Sequence, residues 1–217
     1  MKRDMLTKTL SAFGLDLSGE ALEKLNGFVE MVGESSQSLN LLASGEIEHI
    51  WERHVLDSLW PLILGVVTSP ARILDVGTGA GFPGIPLAIV AQNSKVTMVE
   101  SNGKKARFVE RVLSQLKIEN ACVINQRIEK VPLEEPFDYA LTRAFSSIGA
   151  SLPILEKFMC KNGSIIFLKG PDAEREIAEA ENQRPSANLA SPEIIKIPPE
   201  FSPKGFCLVI YRQNQSC

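Results

Sequence analysis

The residues of this chain best suited to chemistry are four closely spaced glycines and two carboxylates. In Arg72-Ile-Leu-Asp-Val-Gly-Thr-Gly-Ala-Gly-Phe-Pro-Gly-Ile-Pro86 an apolar run ends in Asp75 and then in Gly77, Gly79, Gly81 and Gly84. Glycines so placed let the backbone turn at positive φ and approach a ligand, and a following helix offers unpaired N–H groups. Pro83 and Pro86 suit a first helical turn, where no N–H need be donated. Glu100 closes the next apolar run, Lys95-Val-Thr-Met-Val-Glu100, where an acid can accept from ribose hydroxyls. The stretch reads as strand, nucleotide-binding turn and helix start.

Two cofactor classes use such a turn. Gly79-x-Gly81-x-x-Gly84 satisfies a dinucleotide fingerprint, whereas Asp75-x-Gly77-x-Gly79-x-Gly81 is the pattern of S-adenosylmethionine (SAM) methyltransferases. Asp75 belongs only to the second pattern. A short-chain dehydrogenase also needs a Tyr-x-x-x-Lys pair, yet Tyr139 is followed by Arg143 and Tyr211 by Gln215. The balance favours methyl transfer, with a nicotinamide oxidoreductase as the alternative from another class. A third reading is a ribosome-assembly protein that binds RNA without catalysis.

The elements that must position these residues alternate from Arg72 onward. Strands are expected over 72–76, 95–100, 121–125, 138–142 and 164–169, with helices near 86–91, 104–117 and 148–158. A polar helix over 172–181, a loop rich in Pro, Asn and Ser, and short strands over 194–197 and 206–211 follow. This predicts an α/β, Rossmann-like methyltransferase fold: a mostly parallel, doubly wound sheet with helices on both faces, a late antiparallel strand and a helical N-terminal extension. Residues 1–66 form that extension and 67–217 the SAM-binding domain, packed as one unit.

Within the extension, 19–32 reads as an amphipathic helix with Ser18 as N-cap and Gly33 as stop. A polar segment over 34–38 leads to a second long helix over 47–64. His54 and Ser58 fall inside its apolar stripe and Asp57 at its edge. A hydrolase triad is disfavoured, because neighbours on one helix cannot point a nucleophile and its base along converging directions. The other readings are a polar network joining this helix to the sheet, or a role in shaping the cofactor or substrate pocket.

In such sheets the ligand lies beyond the carboxyl ends of the strands. Ile128 and Glu129, just past the third strand, could meet an adenine ring. Arg143 and Lys169 end the fourth and fifth strands, and either could hold a carboxylate or a phosphate. On the helix after Glu100, Lys104, Arg107 and Arg111 share a face with Lys105 beside them. Together with Arg53, Arg143 and Lys169 these are candidate phosphate contacts if RNA is the partner.

The composition sets bounds. A net charge of −3 over 217 residues is not that of a general nucleic-acid binder, so an RNA contact must use a local patch. No apolar run nears the roughly 20 residues needed to span a bilayer. The opening Met-Lys-Arg-Asp-Met lacks the apolar core of a signal peptide, and a cytoplasmic protein is expected. Cys122, Cys160, Cys207 and Cys217 are scattered and expected to be reduced, three of them buried, with no metal site.

Absent motifs narrow the acceptor. Methylation of an exocyclic amine commonly uses Asp/Asn-Pro-Pro-aromatic after the fourth strand, and that place holds Leu141-Thr-Arg-Ala-Phe145. Carbon-5 methylation of a pyrimidine needs a nucleophilic cysteine, and Cys160 reads as the end of a helix. An acceptor that is already nucleophilic remains, such as guanine N7. Positioning alone contributes about 7–11 kcal/mol when geometry is well held.

Several motifs, in order along nearly the whole chain, carry a resemblance. They are Asn40-Leu, Arg53-His-x-x-Asp-Ser-Leu59, Asp75-Val-Gly-Thr-Gly-Ala-Gly-Phe-Pro-Gly-Ile-Pro-Leu-Ala-Ile89, Glu100-Ser-Asn-x-Lys-Lys105, Arg127-x-Glu129, Phe137-Asp, Arg143-Ala and Leu168-Lys-Gly170. The sequence resembles the bacterial small-subunit ribosomal RNA guanine-N7 methyltransferase family, historically called glucose-inhibited division protein B. The resemblance implies a SAM-dependent enzyme that methylates one guanine of 16S rRNA near the decoding site. The modest charge favours a structured particle as substrate, the small ribosomal subunit or an assembly intermediate, and a monomer is expected. By position it implies cofactor contacts from Gly77, Phe82, Ile128, Glu129 and Arg143, with Glu100 on the ribose. One departure is Glu34-Ser-Ser-Gln-Ser-Leu-Asn40-Leu-Leu, where the family often has a Trp-Asn pair before Asn-Leu-Thr.

Overall fold

A computed structural model describes residues 2–43, 45–183, 188–202 and 205–214. Its sheet has seven strands: β1 Arg72–Val76, β2 Lys95–Val99, β3 Ala121–Ile124, β4 Phe137–Arg143, β5 Met159–Lys169, β6 Glu193–Lys196 and β7 Cys207–Arg212. Their order is β3-β2-β1-β4-β5-β7-β6, with β1 to β5 parallel and β7 antiparallel to both β5 and β6. This is the doubly wound sheet with a late antiparallel strand that the alternating pattern predicts. Cys217 and residues 184–187 of the expected loop rich in Pro, Asn and Ser lie outside the described residues.

Among the described residues seven α-helices accompany the strands: α1 Lys2–Ala12, α2 Gly19–Leu39, α3 Asp57–Ile63, α4 Gly84–Val90, α5 Gly103–Gln115, α6 Ile148–Leu155 and α7 Ala173–Gln183. Two apolar clusters form, one on each face of the sheet. Leu6, Leu25, Phe28, Leu59 and Trp60 from the N-terminal residues share a core with Ile73, Leu141, Ile166 and Leu168. On the other face, Leu74, Ala140, Ile165 and Phe167 pack with Ile148, Leu152 and Ala180 of α6 and α7. Alternate residues of a strand point to opposite faces, so each strand serves both clusters.

The N-terminal region departs from its sequence pattern in two places. α2 does not stop at Gly33 but runs to Leu39, where Asn40 takes the left-handed conformation at φ 50° and caps it. Ser35 and Ser36 lie on the buried side, so the polar segment is helical after all. The expected helix over 47–64 is instead a 3₁₀ turn Ile47–His49, a π-helical turn Trp51–Leu56 and then α3. An apolar residue every three to four positions fits all of these windings, and so cannot separate them. The cysteines also differ from expectation: Cys207 is buried, Cys160 half-buried and Cys122 exposed. Cys160 stands second in β5, not at a helix end.

Candidate active site

Strand register brings the site together. Val76 of β1 pairs with Val99 of β2 and Thr142 of β4, so the residues that follow, Gly77, Glu100 and Arg143, stand side by side at the sheet's carboxyl edge. Gly77 turns there at φ 75°, and a Cβ added to it would lie 2.8 Å from Phe145 Cδ2. Gly84, where α4 begins, donates its N–H to Asp75 Oδ2 at 2.8 Å. A Cβ there would meet that same oxygen at 2.7 Å, which is why a glycine stands in this position. Asp75 is fully buried and its Oδ1 has no partner; burial pushes its carboxyl up to about 7.

Glu100 ties the turn to the second strand. Its Oε2 accepts from Gly79 N–H at 2.9 Å and its Oε1 from Asn102 N–H at 2.7 Å. Each carboxylate oxygen has two acceptor directions, so both keep capacity for a hydroxyl donor. A cleft of about 280 Å³ opens beside it, lined by Gly77, Gly79, Glu100, Ile128, Glu129 and Phe145 among others. Ile128 is buried and Glu129 exposed, on the 3₁₀ turn Ile128–Lys130. Phe145 follows Ala144, which takes φ 52°, a conformation that a non-glycine residue rarely adopts.

On the face of Asp75 and Arg143 the π-helical turn meets the sheet. Arg143 donates from Nη1 to His54 Nδ1 at 3.1 Å and from Nη2 to the Arg53 carbonyl at 2.7 Å. His54 Nε2 in turn lies 3.0 Å from Glu46 Oε2, and Arg53 donates to Glu46 Oε1 at 3.0 Å. Burial, with Arg143 beside it, pushes the His54 imidazole down to about 4, so it is neutral. Its ring packs 5.1 Å from that of Phe82 in the glycine turn. Asp57 is 8% exposed, and burial pushes its carboxyl up to about 7. Ser58 donates to the His54 carbonyl at 2.5 Å.

A second cavity, of about 600 Å³, opens at Arg143 beyond this network, with Glu52, Asp57, Pro171 and Phe201 in its walls. Arg143 lines this cavity, and the two residues that follow it, Ala144 and Phe145, line the first.

The comparisons with known proteins agree with this arrangement. The family model described as rRNA small subunit methyltransferase G matches residues 21–196. The chain belongs to that family. Its relatives include the ribosomal RNA small subunit methyltransferase G of Clostridium botulinum (strain Eklund 17B / Type B), 31% identical over 99% of this chain and 91% of that one. That of Erwinia tasmaniensis is 34% identical over 81% of this chain and 84% of its own. Among solved structures, the N-methyltransferase NodS of Bradyrhizobium japonicum with S-adenosyl-L-homocysteine superposes with a TM-score of 0.59 at 15% identity, covering 82% and 98% of the two chains. The tRNA (m1A58) methyltransferase TrmI of Aquifex aeolicus does so at 0.58 and 17% identity, covering 74% and 69%. The latter two are likenesses of fold.

As a member of the methyltransferase G family the chain is an rRNA methyltransferase whose cofactor is SAM. The residues present fit that group. Gly77 leaves open a cradle that a Cβ would fill, Glu100 offers oxygens suited to ribose hydroxyls, and Ile128 supplies an apolar wall with Glu129 at its rim. Of the expected cofactor residues, Gly77, Gly79, Glu100, Ile128 and Glu129 line one cleft. Asp75, Gly81 and Phe82 shape the turn from behind, buried. Arg143 faces the second cavity.

Lys169 is not beside Arg143. Arg143 pairs with Leu168, so Lys169, one residue on, points to the opposite face. There it donates to Glu176 at 2.8 Å and to the Ser146 carbonyl at 3.2 Å. The expected basic face is likewise divided. Arg53 is paired with Glu46. Arg111 donates to Ser35 Oγ at 2.7 Å and stacks over Phe108, fastening α5 to α2. Lys105 lines the cofactor cleft, while Lys104 and Arg107 are exposed. Sequence reasoning missed Glu46, Glu52 and Phe201; their spacing from His54 and Arg143 follows no period. Phe145 carries a usable signal, an aromatic two residues past a strand end.

Among the described residues no cluster of His, Cys, Asp or Glu could hold a metal, and no helix is long and apolar enough to cross a membrane.

Proposed function

We propose that this protein transfers the methyl group of SAM to N7 of one guanine in 16S rRNA, close to the decoding site. The observation that carries the reading is the match to the methyltransferase G family over residues 21–196, joined to a sheet edge where Gly77, Glu100 and Arg143 stand together. When bound, SAM supplies an activated methyl: the N7 lone pair forms the new bond, the S–C pair stays on sulfur, and no proton moves. The protein's part is therefore positioning, worth about 7–11 kcal/mol at best.

In this reading Glu100 accepts from the ribose, Ile128 and Glu129 border the adenine, and Arg143 orients the reacting groups from the wall of the second cavity. Lys169 acts as a positioning residue. Through the Ser146 carbonyl it holds the Ala144–Ser147 loop that lies over Gly77. Exposed Lys104 and Arg107, with Lys105, supply phosphate contacts. Arg53 and Arg111, already engaged, contribute less. The protein works in the cytoplasm as a monomer, on the small subunit or an assembly intermediate. A net charge of −3 leaves only a weak electrostatic footprint for RNA, so shape must supplement electrostatics.

The test is transfer of labelled methyl from SAM to small subunits purified from cells lacking the modification, with naked rRNA alongside, followed by nucleoside mass spectrometry. N7-methylguanosine is the expected product. Bound cofactor without labelled guanosine would overturn the acceptor.

A further inference from the structure

The cavity of about 600 Å³ at Arg143 holds a contradiction that a ligand would resolve. Asp57 lines it and is 8% exposed, yet among the described residues no donor reaches its carboxyl by a hydrogen bond. Glu52 is on the same wall, and its Oε2 is buried without a partner. Buried carboxyl oxygens are normally bonded, so the Glu52 oxygen, and beside it an Asp57 carboxyl that opens to the cavity with no protein donor, can both take donors from outside.

The charges say what kind. Asp57, Glu52 and Glu200 line the cavity with Arg143, while Glu46 already engages Arg53. Such a wall repels a phosphate and suits a neutral group rich in donors. Of the four RNA bases only guanine carries two adjacent donors on its Watson–Crick edge, N1–H and the N2 amine, spaced to match the two oxygens of one carboxylate. Adenine and cytosine show a donor beside an acceptor, and uracil a single donor. Phe201 adds a ring face in the same cavity, held by Phe13 and Trp60 at 5.7 and 5.6 Å, on which a base taken out of its stack can lie.

We infer that Asp57 is the residue that selects guanine, its carboxylate accepting from N1–H and N2–H of the acceptor base in the cavity beside Arg143. The inference rests on the guanine reading above. A base held by that edge keeps N7, on its opposite edge, free of contact with the wall that grips it. An arginine clamp on O6 and N7, the usual way to read guanine, would block the acceptor atom. Methyl transfer also moves a positive charge from sulfur to the guanine ring, and acids along the cavity favour that charge where it arrives.

The experiment uses the full chain and small subunits reassembled around rRNA ligated to carry guanosine or inosine at the target. Inosine lacks only the N2 amine. The wild type is expected to methylate guanosine particles at least about tenfold more efficiently in kcat/KM, the worth of one hydrogen bond to a charged group. Asp57→Asn puts an amide donor against the guanine donors. It is expected to lose about tenfold or more on guanosine and to prefer guanosine over inosine by less than about threefold, with SAM affinity unchanged. Equal use of inosine by the wild type would overturn the proposal whatever the variant does, and so would an undiminished preference in Asp57→Asn. Failure to methylate even the guanosine particle at N7 would overturn the acceptor reading as well, so the two failures are distinguishable.

Discussion

The Arg143 guanidinium and the His54 imidazole lie 3.1 Å apart, and that contact fixes the state of both. Guanidinium nitrogens only donate, so His54 Nδ1 accepts and the ring proton sits on Nε2, which donates to Glu46 Oε2 at 3.0 Å. The chain of contacts runs from the segment before the π-helical turn to the end of β4. A neutral histidine thereby orients the cation that lines the second cavity.

His54 should make the protein acid-labile. Its folded pKa, about 4, is below the ordinary 6.5, so its contribution to stability is complete above pH 6.5 and is lost as pH falls through 4. Asp57 and Asp75, raised to about 7, act in the opposite sense and gain stability over the same interval. The comparison is therefore with His54→Gln, whose amide can accept from Arg143 and donate to Glu46. Denaturant melts should show the variant within about 1 kcal/mol of wild type at pH 8 and more stable relative to it at pH 4. Parallel pH curves would rule this out.

Gly77→Ala should cost cofactor affinity for two separable reasons. The backbone there is at φ 75°, where a side chain costs about 1–2 kcal/mol, and the new Cβ would stand 2.8 Å from Phe145 Cδ2. Calorimetry with SAM is expected to show a loss of at least about tenfold. Adding Phe145→Ala should recover the steric part and leave the backbone part. Wild-type affinity in the single variant would mean that the turn does not form the cofactor cradle.

What the sequence made legible was local and periodic. Asp75, the glycines and Glu100 announce themselves because a tight turn permits few residue types, and the strands around them alternate with helices. Lys169 was harder: a strand end was legible, but the register that turns its side chain away from Arg143 is a relationship between two strands. The winding of 47–64 was hidden for a similar reason, since apolar spacing is shared by 3₁₀, α and π turns. Asp57 fell at the edge of an apolar stripe, and nothing in the order of residues shows that its carboxyl lacks a donor.

Lys169 and Arg143 should separate kinetically. Lys169, 11% exposed at its side chain, is held by Glu176 and by the Ser146 carbonyl on the face away from Arg143. Lys169→Ala is expected to weaken SAM binding by roughly two- to tenfold by loosening the loop over Gly77, with the KM for small subunits unchanged. Arg143→Ala should lower the transfer rate by at least about tenfold at saturating SAM, because its charge faces the second cavity. Initial-rate kinetics with each substrate varied would show this split. Equal effects of both variants on the subunit KM would contradict it.

The ionisation of Asp57 gives the last test. Burial, opposed by Arg143 and Arg53 and reinforced by Glu46, raises its carboxyl to about 7 in the free protein. A carboxylate that accepts two donors from guanine must first lose its proton, so kcat/KM for small subunits should rise with pH through about 7. Asp75 titrates in the same range, and saturating SAM removes its influence on cofactor binding from the comparison. Asp57→Asn should abolish the rise while keeping its plateau low at every pH. The same group predicts stability. Its folded pKa is above the unfolded value near 3.8, so the wild type loses stability as pH rises through 7 and Asp57→Asn does not, a difference on the order of a few kcal/mol at pH 8. A variant that kept the rise in kcat/KM would assign it to another group and remove the need for an ionised Asp57 at the guanine edge.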